Sequence, residues 1–166
     1  MFATKFEYTK ANSISEAIQL LGANEDAKIL AGGHSLIPMM KLRLARPPML
    51  IDIGGIEELR GVSVENGTLR IGALTTHAEI ADSHLVKDNV GILWETAYGI
   101  GDPQVRNRGT IGGNIAHADP ASDLPTVLTV MNATFTIQGQ GGITRRGSRT
   151  VSADDFFTGP FEAVLE

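Results

Sequence analysis

Two glycine pairs in predicted loops constrain the fold of this chain more than any other feature of its sequence. Gly32-Gly33 follows an apolar stretch, and Gly112-Gly113 is flanked by Thr110-Ile111 and Asn114. Because glycine has no Cβ atom, the chain can approach a ligand closely at such a pair and can adopt positive φ. Successive amides can then point into one concavity, a geometry suited to an anion. Both segments therefore predict contact with a ligand.

The first glycine segment, residues 31–36, joins a predicted strand to a predicted helix. The start of that helix offers free N–H groups and the positive end of a dipole, which suit a pyrophosphate. Ser35 adds a hydroxyl donor. The segment lacks both the Gly-Lys-Ser/Thr of a P-loop and the Gly-x-Gly-x-x-Gly dinucleotide fingerprint. Taken alone, a glycine pair after a strand is more often a plain tight turn, so that alternative stays open.

The second glycine segment, residues 110–114, predicts ligand contact for the same reasons. Its glycines allow close approach, and the Thr110 hydroxyl and Asn114 amide can bond a phosphate or a ribose. Downstream, Asp123 follows a Pro-containing turn and precedes the next predicted helix. On its own, Asp123 is more simply interpreted as the N-cap of that helix.

The predicted elements indicate an α+β fold with two lobes. Residues 1–55 form a small α/β lobe with a parallel sheet: a helix that begins at a Ser13–Glu16 capping box and ends at Gly22, strands over 28–31 and 49–53, a helix over 36–44, and a further strand near 6–8. Residues 56–166 form a larger mixed, antiparallel lobe, in which Asn66-Gly67 predicts a hairpin turn. Its other predicted elements are helices over 78–81, 90–100 and 124–131 and a strand over 134–137.

Composition excludes several classes of function. The formal net charge of -5 gives no electrostatic reason for a nucleic-acid partner. The densest basic stretch, Arg145-Arg146-Gly-Ser-Arg149, is short and predicts a solvated strand or turn. Without cysteine, these residues can hold no thiolate-ligated zinc ion or iron–sulfur cluster. No signal peptide and no membrane-spanning segment is expected, which indicates a cytoplasmic protein.

The four histidines predict no metal site. None of their spacings matches a helical zinc site, and no His-Glu-x-x-His sequence occurs. His34 is interpreted as a positional residue of the first glycine segment, and His77, at a predicted helix start, as a surface residue.

Taken together, the two segments resemble a known family. The sequences AGGHSL and GDPQVRNRGTIGGNIAHADPASDLP, with the flanking IGALTTHAEI and DFFTGPF, are similar to the FAD-binding domain of the flavoprotein (medium) subunits of molybdenum hydroxylases, the carbon monoxide dehydrogenase and xanthine dehydrogenase family. The resemblance covers the chain from Phe6 onwards. It implies a two-lobed, PCMH-type fold that holds FAD between its lobes. The FAD-contacting positions that it implies are Gly32, Gly33, His34, Ser35, Leu36, Ile100, Thr110, Ile111, Gly112, Gly113, Asn114 and Asp123.

The resemblance also implies a division of labour between subunits. A large subunit carries the molybdenum cofactor, a small subunit carries 2Fe-2S clusters, and FAD passes the electrons to an external acceptor. No catalytic side chain and no activity of the chain alone are expected. Family members carry a further C-terminal domain, so some FAD contacts are expected beyond Glu166.

Two alternatives stay open. In the first, the chain is a non-catalytic docking module that does not bind flavin by itself. In the second, it is a flavin oxidase that acts alone, which would need a substrate-binding cap.

Overall fold

The computed structural model of the chain describes residues 2–139 and 147–165. The expectation for the basic stretch falls partly outside these residues, since Arg145 and Arg146 are not among them. Arg149 lies in a strand, and its Nη2 donates to the carbonyl of Val164 at 2.8 Å. The described residues form a mixed α and β structure with one parallel sheet and antiparallel pairs, as the sequence predicts.

The N-terminal part is a three-stranded parallel sheet flanked by helices. In chain order its elements are β1 (Glu7–Lys10), α1 (Ile14–Ala23), β2 (Lys28–Leu30), α2 (Leu36–Lys41) and β3 (Met49–Asp52). The strand order is β1-β3-β2, so the apolar β3 lies in the centre. Its Ile51 is fully buried. Because parallel strands are buried on their faces, the continuous apolar run of residues 49–51 is what the central strand requires.

Two helix ends differ from the prediction. Gly22 does not end α1, which continues to Ala23 and closes at Asn24, whose Nδ2 donates to the carbonyl of Leu20 at 2.9 Å. The helix predicted over 36–44 ends at Lys41, and Arg43 adopts a φ of 63°, which a helix cannot continue through. At the start of α1, Ser13 accepts from the N–H of Glu16 at 3.1 Å as predicted.

The remaining elements form the larger part of the structure. A 3-10 turn (Glu57–Leu59) precedes the hairpin β4 (Val62–Glu65) and β5 (Thr68–Ile71). In its turn Asn66 and Gly67 have φ values of 51° and 76°, as the Asn-Gly signal predicts. The elements that follow are α3 (His77–Ala81), α4 (His84–Asn89), α5 (Gly91–Gly99), α6 (Pro103–Arg106), α7 (Ile111–His117), α8 (Asp123–Val130), β6 (Thr134–Gln138), β7 (Ser148–Ser152), α9 (Ala153–Phe156), β8 (Phe157–Gly159) and β9 (Glu162–Ala163).

Apolar side chains pack in two clusters. One contains Ile51 with Ile56 and Leu74, so residues beyond position 55 pack onto the parallel sheet. The other contains Ile80, Leu124 and their neighbours from the helices and from β6 and β7. A division of the chain at residue 55 stays a prediction. None of the helices within the described residues is long and apolar enough to cross a membrane.

Candidate functional site

The fold brings the two glycine segments together. A methyl group placed on Gly32 would lie 1.9 Å from the main-chain oxygen of Arg108 and 3.2 Å from the Cα atom of Gly109. One placed on Gly113 would lie 4.0 Å from the Cβ atom of Ala31. The turn after β2 therefore packs directly against the residues that lead into α7. Segments far apart in the sequence form one continuous surface.

The first segment presents a row of free donors. Within the described part of the chain, none of the five main-chain N–H groups of residues 32–36 donates a hydrogen bond. Gly33 has a φ of 74°, which turns the chain between β2 and α2. The Ser35 side chain makes no capping hydrogen bond and is exposed. Unpaired amides beside a positive-φ residue form the kind of concavity that binds anions.

The second segment differs from the expected loop. Residues 111–117 are helix α7, and Thr110 is its N-cap, with Oγ1 accepting from the N–H of Gly113 at 3.2 Å. The other amides of the segment are also paired: the N–H of Ile111 donates to Thr75, that of Gly112 to Ala73 and that of Asn114 to Thr110. Among the described residues, four of the five main-chain donors of the second segment are therefore used by α7 and by the residues before α3, whereas all five of residues 32–36 are free.

Contacts within the protein also require glycine at all four positions, since a methyl group on Gly113 would lie 2.9 Å from Thr110 Oγ1. A methyl group on Gly112 would lie 2.7 Å from the carbonyl oxygen of Ala73, and Gly32 faces Arg108 as described. At Gly33 a methyl group would meet Ile37 Cδ1 at 2.8 Å, and the positive φ adds strain. A substitution of Gly33 would therefore disturb the fold itself and is a poor probe of ligand contact.

Side chains beside the second segment are polar. Ser122 Oγ donates to Asn114 Oδ1 at 2.9 Å, which joins the start of α8 to α7. Asp123 is the first residue of α8 and is exposed, while Ser122 occupies the N-cap position, so the N-cap interpretation of Asp123 is wrong. Ile100 is half-buried at the end of α5, where Arg106 Nη1 donates to its carbonyl at 3.0 Å.

His77 is buried, contrary to the expected surface position. Its side chain is 3% exposed, and Nδ1 has no hydrogen-bond partner within the described residues. The pKa of His77 is lowered to about 4, mainly by burial and to a smaller extent by the charge of His34. Ile80 and Ala81 follow at helical spacing and are buried with it. That spacing is the sequence signal that places His77 on the inner face of α3.

No group of three or more histidine and acidic side chains that could hold a metal ion occurs within the described ranges. His34, the histidine predicted to belong to the site, is exposed on the first segment.

Comparisons with known proteins agree on one family. A family model described as the FAD binding domain in molybdopterin dehydrogenase matches residues 4–166. The chain is 48% identical to the carbon monoxide dehydrogenase medium chain of Hydrogenophaga pseudoflava, over 100% of this chain and 56% of that one. It is 45% identical to the glyceraldehyde dehydrogenase medium chain of Sulfolobus acidocaldarius, over 97% of this chain and 56% of that one. The chain thus spans about half the length of these relatives.

Solved structures give the same result. The structure of carbon monoxide dehydrogenase from Hydrogenophaga pseudoflava that lacks the Mo-pyranopterin moiety matches with a TM-score of 0.95 and 49% identity, over 100% of this chain and 56% of the matched chain. Quinoline 2-oxidoreductase from Pseudomonas putida 86 matches with a TM-score of 0.95 and 37% identity, over the same shares.

Proposed function

The chain belongs to the family of FAD-binding domains of molybdopterin dehydrogenases, and from this we propose that it binds FAD between its two glycine segments, in the cleft between lobes formed by residues 1–55 and 56–166. The relatives named above are medium chains of dehydrogenases. On that basis the chain is the flavin-binding part of a molybdenum hydroxylase.

One observation carries the proposal: the first segment holds five unpaired N–H groups at the point where it packs against the second. Free amides at the start of a helix, beside a positive-φ residue, offer several donors to one acceptor group, so such a row favours an anionic ligand. The FAD pyrophosphate has the charge and the acceptor oxygens for this row. Ser35 supplies a further donor, and the residues of the segment in contact with FAD are Gly32, Gly33, His34, Ser35 and Leu36.

We assign the second segment a different role, because its main-chain donors at residues 111–114 are already used. We assign it the remaining polar contacts, through the side chains of Thr110 and Asn114 and the close approach of the main chain at Ile111, Gly112 and Gly113. Asp123 is adjacent to Ser122, which bonds Asn114, and we assign its carboxylate the role of accepting from a ribose hydroxyl. Ile100 supplies an apolar contact near the flavin ring.

Partner subunits hold the other redox centres. When bound, FAD supplies the redox chemistry that takes up electrons and passes them to an external acceptor. These residues contain no cysteine, so clusters with thiolate ligands lie outside them. We assign the 2Fe-2S clusters to a small subunit and the molybdenum cofactor to a large subunit, with this chain as the medium subunit. The side chains of this chain bind and orient the flavin, and none acts as a general acid, base or nucleophile.

Titration with three nucleotides tests the proposal. FAD is added to the purified chain and binding is followed by flavin fluorescence. FMN, which lacks the pyrophosphate and adenosine, is expected to bind at least ten times more weakly than FAD. ADP, which has the pyrophosphate without the flavin, is expected to compete with FAD. A protein that stays colourless after FAD addition and removal of excess would instead support the non-catalytic docking alternative.

A further inference from the structure

The inference concerns the turn that carries Ile100, the residue assigned an apolar contact near the flavin ring. Ile100 follows the last residue of α5 and stands between Gly99 and Gly101, and Gly101 has a φ of 40°. Because glycine restricts the main chain least, a residue between two glycines is held weakly by its own chain. The N–H of Ile100 donates to the carbonyl of Ala97 at 3.4 Å, which is long for a hydrogen bond. The position of Ile100 therefore depends on contacts from another element.

Arg106, on the short helix α6, supplies such a contact. Its Nη1 donates to the carbonyl of Ile100 at 3.0 Å and to the carbonyl of Gly101 at 3.2 Å. Within the described part of the chain, no other hydrogen bond reaches either carbonyl. One nitrogen thus joins two successive carbonyls and fixes the direction of both peptides of the turn.

The surroundings of Arg106 hold its side chain in place. Asp102 caps α6 through its carboxylate and Pro103 is the first residue of the helix, so α6 begins directly after the turn. The guanidinium carbon of Arg106 lies 5.7 Å from the centre of the Tyr98 ring, within the range of a cation–π contact. Tyr98 is itself stacked on Trp94, with ring centres 5.7 Å apart. Among the residues that the structure describes, Arg106 has no carboxylate at ion-pair distance, so its contacts are the two carbonyls and the ring.

A helix cap alone does not account for this arrangement. A basic side chain at the end of a helix commonly bonds the free carbonyls of the last turn. Arg106 instead bonds the carbonyl of Ile100, which closes α5, and that of the residue after it, both outside the helical residues Gly91–Gly99. The bonds therefore hold the turn and not the last turn of α5.

We propose that Arg106 is a positioning residue for the flavin ring, because it holds the turn of residues 99–101 so that Ile100 contacts bound FAD. The inference rests on the proposed function, which includes the contact of Ile100. Arg106 acts at the ring end of the nucleotide, whereas the free amides of residues 32–36 act at the pyrophosphate. Loss of Arg106 should therefore weaken the binding of FAD and leave the binding of ADP unchanged.

Substitutions of Arg106 test this difference. Methionine keeps an unbranched apolar stem without a donor, glutamine keeps a shorter donor without the charge, and lysine keeps one charged nitrogen that can approach both carbonyls. FAD affinity is measured by flavin fluorescence and ADP affinity by calorimetry. Arg106→Met is expected to bind FAD at least tenfold more weakly than the parent, and Arg106→Gln at least threefold more weakly. Both variants should bind ADP within threefold of the parent, and Arg106→Lys should bind both nucleotides within threefold.

A control variant and a double variant test the route through Ile100. Asn107→Ala removes a different side-chain bond of α6, from Asn107 Nδ2 to the carbonyl of Pro103 at 2.7 Å, and should leave both affinities within threefold of the parent. Ile100→Ala should weaken FAD binding and not ADP binding. Adding Arg106→Met to Ile100→Ala should then weaken FAD binding by much less than Arg106→Met does in the parent.

The outcomes separate this inference from the proposed function. If the parent binds FAD and Arg106→Met binds it within threefold, the inference is wrong while the proposed function stands. An equal loss of ADP and FAD affinity in Arg106→Met, or additive effects in the double variant, would overturn the inference as well. Should Arg106→Met fail to fold, the same two affinities of Arg106→Gln decide. If the parent itself binds no FAD, the proposed function is overturned, and this inference with it.

Discussion

Gly32 packs with its Cα atom against the main-chain carbonyl of Arg108, so closely that a single methyl group on Gly32 would lie 1.9 Å from the Arg108 oxygen. This contact joins the turn after the parallel sheet to the start of α7, and it brings free amides and polar side chains to one surface. Main chain meets main chain here, so neither side can move aside as a flexible side chain would. The contact therefore fixes the geometry of the proposed FAD site.

We expect Gly32→Ala to destabilise the chain and to abolish tight FAD binding. Overpacking of this kind costs about 1–3 kcal/mol, and a collision between backbones belongs at the upper end. Chemical denaturation measures the first effect and flavin titration the second. Gly91→Ala is the matched control, because a methyl group at Gly91, the first residue of α5, has no atom within 4 Å. A stable Gly32→Ala chain with parental FAD affinity would contradict the assigned contact.

Ser35→Asp tests the free amides as an anion site. An acidic residue at a helix N-cap is favourable for folding, and the Ser35 side chain makes no capping bond that would be lost. The added carboxylate would occupy the position assigned to the pyrophosphate, and its negative charge would repel the negatively charged phosphates. We therefore expect unchanged or higher stability with FAD binding at least tenfold weaker. Ser83→Asp, at the N-cap of α4, adds the same charge at another helix start and is expected to leave FAD affinity unchanged.

Thr110→Ala tests the cap of α7. Thr110 Oγ1 accepts from the N–H of Gly113 at 3.2 Å, and loss of such a cap costs about 1 kcal/mol. We expect lower stability together with weaker FAD binding, both restored by Thr110→Ser. Ser152→Ala removes a similar cap from α9, where Ser152 Oγ accepts from Asp155, and should lower stability alone. Equal effects of the two alanine variants on FAD binding would argue against a role of α7 in the site.

Acid is expected to destabilise the chain through His77. Burial lowers the pKa of His77 from 6.5 to about 4 in the folded protein. At a pH well above 6.5 the ring is neutral in both states, and this contribution to stability is complete. As the pH falls towards 4, the unfolded chain binds a proton that the folded chain does not, so stability decreases. The total loss is about 3 kcal/mol, and below pH 4 it levels off.

Urea unfolding across this pH range measures the effect. In His77→Gln the decrease between pH 6.5 and 4 should be smaller than in the parent, since glutamine does not titrate. His84→Gln replaces an exposed histidine and should follow the parent. If stability decreases with pH equally in the parent and in His77→Gln, His77 is protonated as easily in the folded state as in the unfolded state, which would contradict the prediction.

Local sequence signals predicted much of the fold correctly. The pattern of residues 49–53 predicts a strand, and Asn66-Gly67 predicts the hairpin turn, because each signal depends on neighbouring residues alone. The same reasoning placed α1 at Ser13 but ended it one residue early at Gly22. It did not predict α4, α6 or α7, which are short and whose stability comes from packing and capping.

The sequence by itself determined the family, the α+β class and the two segments that form the candidate site, because glycine pairs, caps and turn residues act over a few positions. Only the tertiary structure decided how those segments work. The pairing of main-chain donors depends on partners from distant segments. The amides of residues 32–36 therefore stay free, while the N–H of Ile111 donates to the carbonyl of Thr75. Burial depends in the same way on the elements that pack around a residue, which is why His77 became an enclosed neutral histidine and not a surface one.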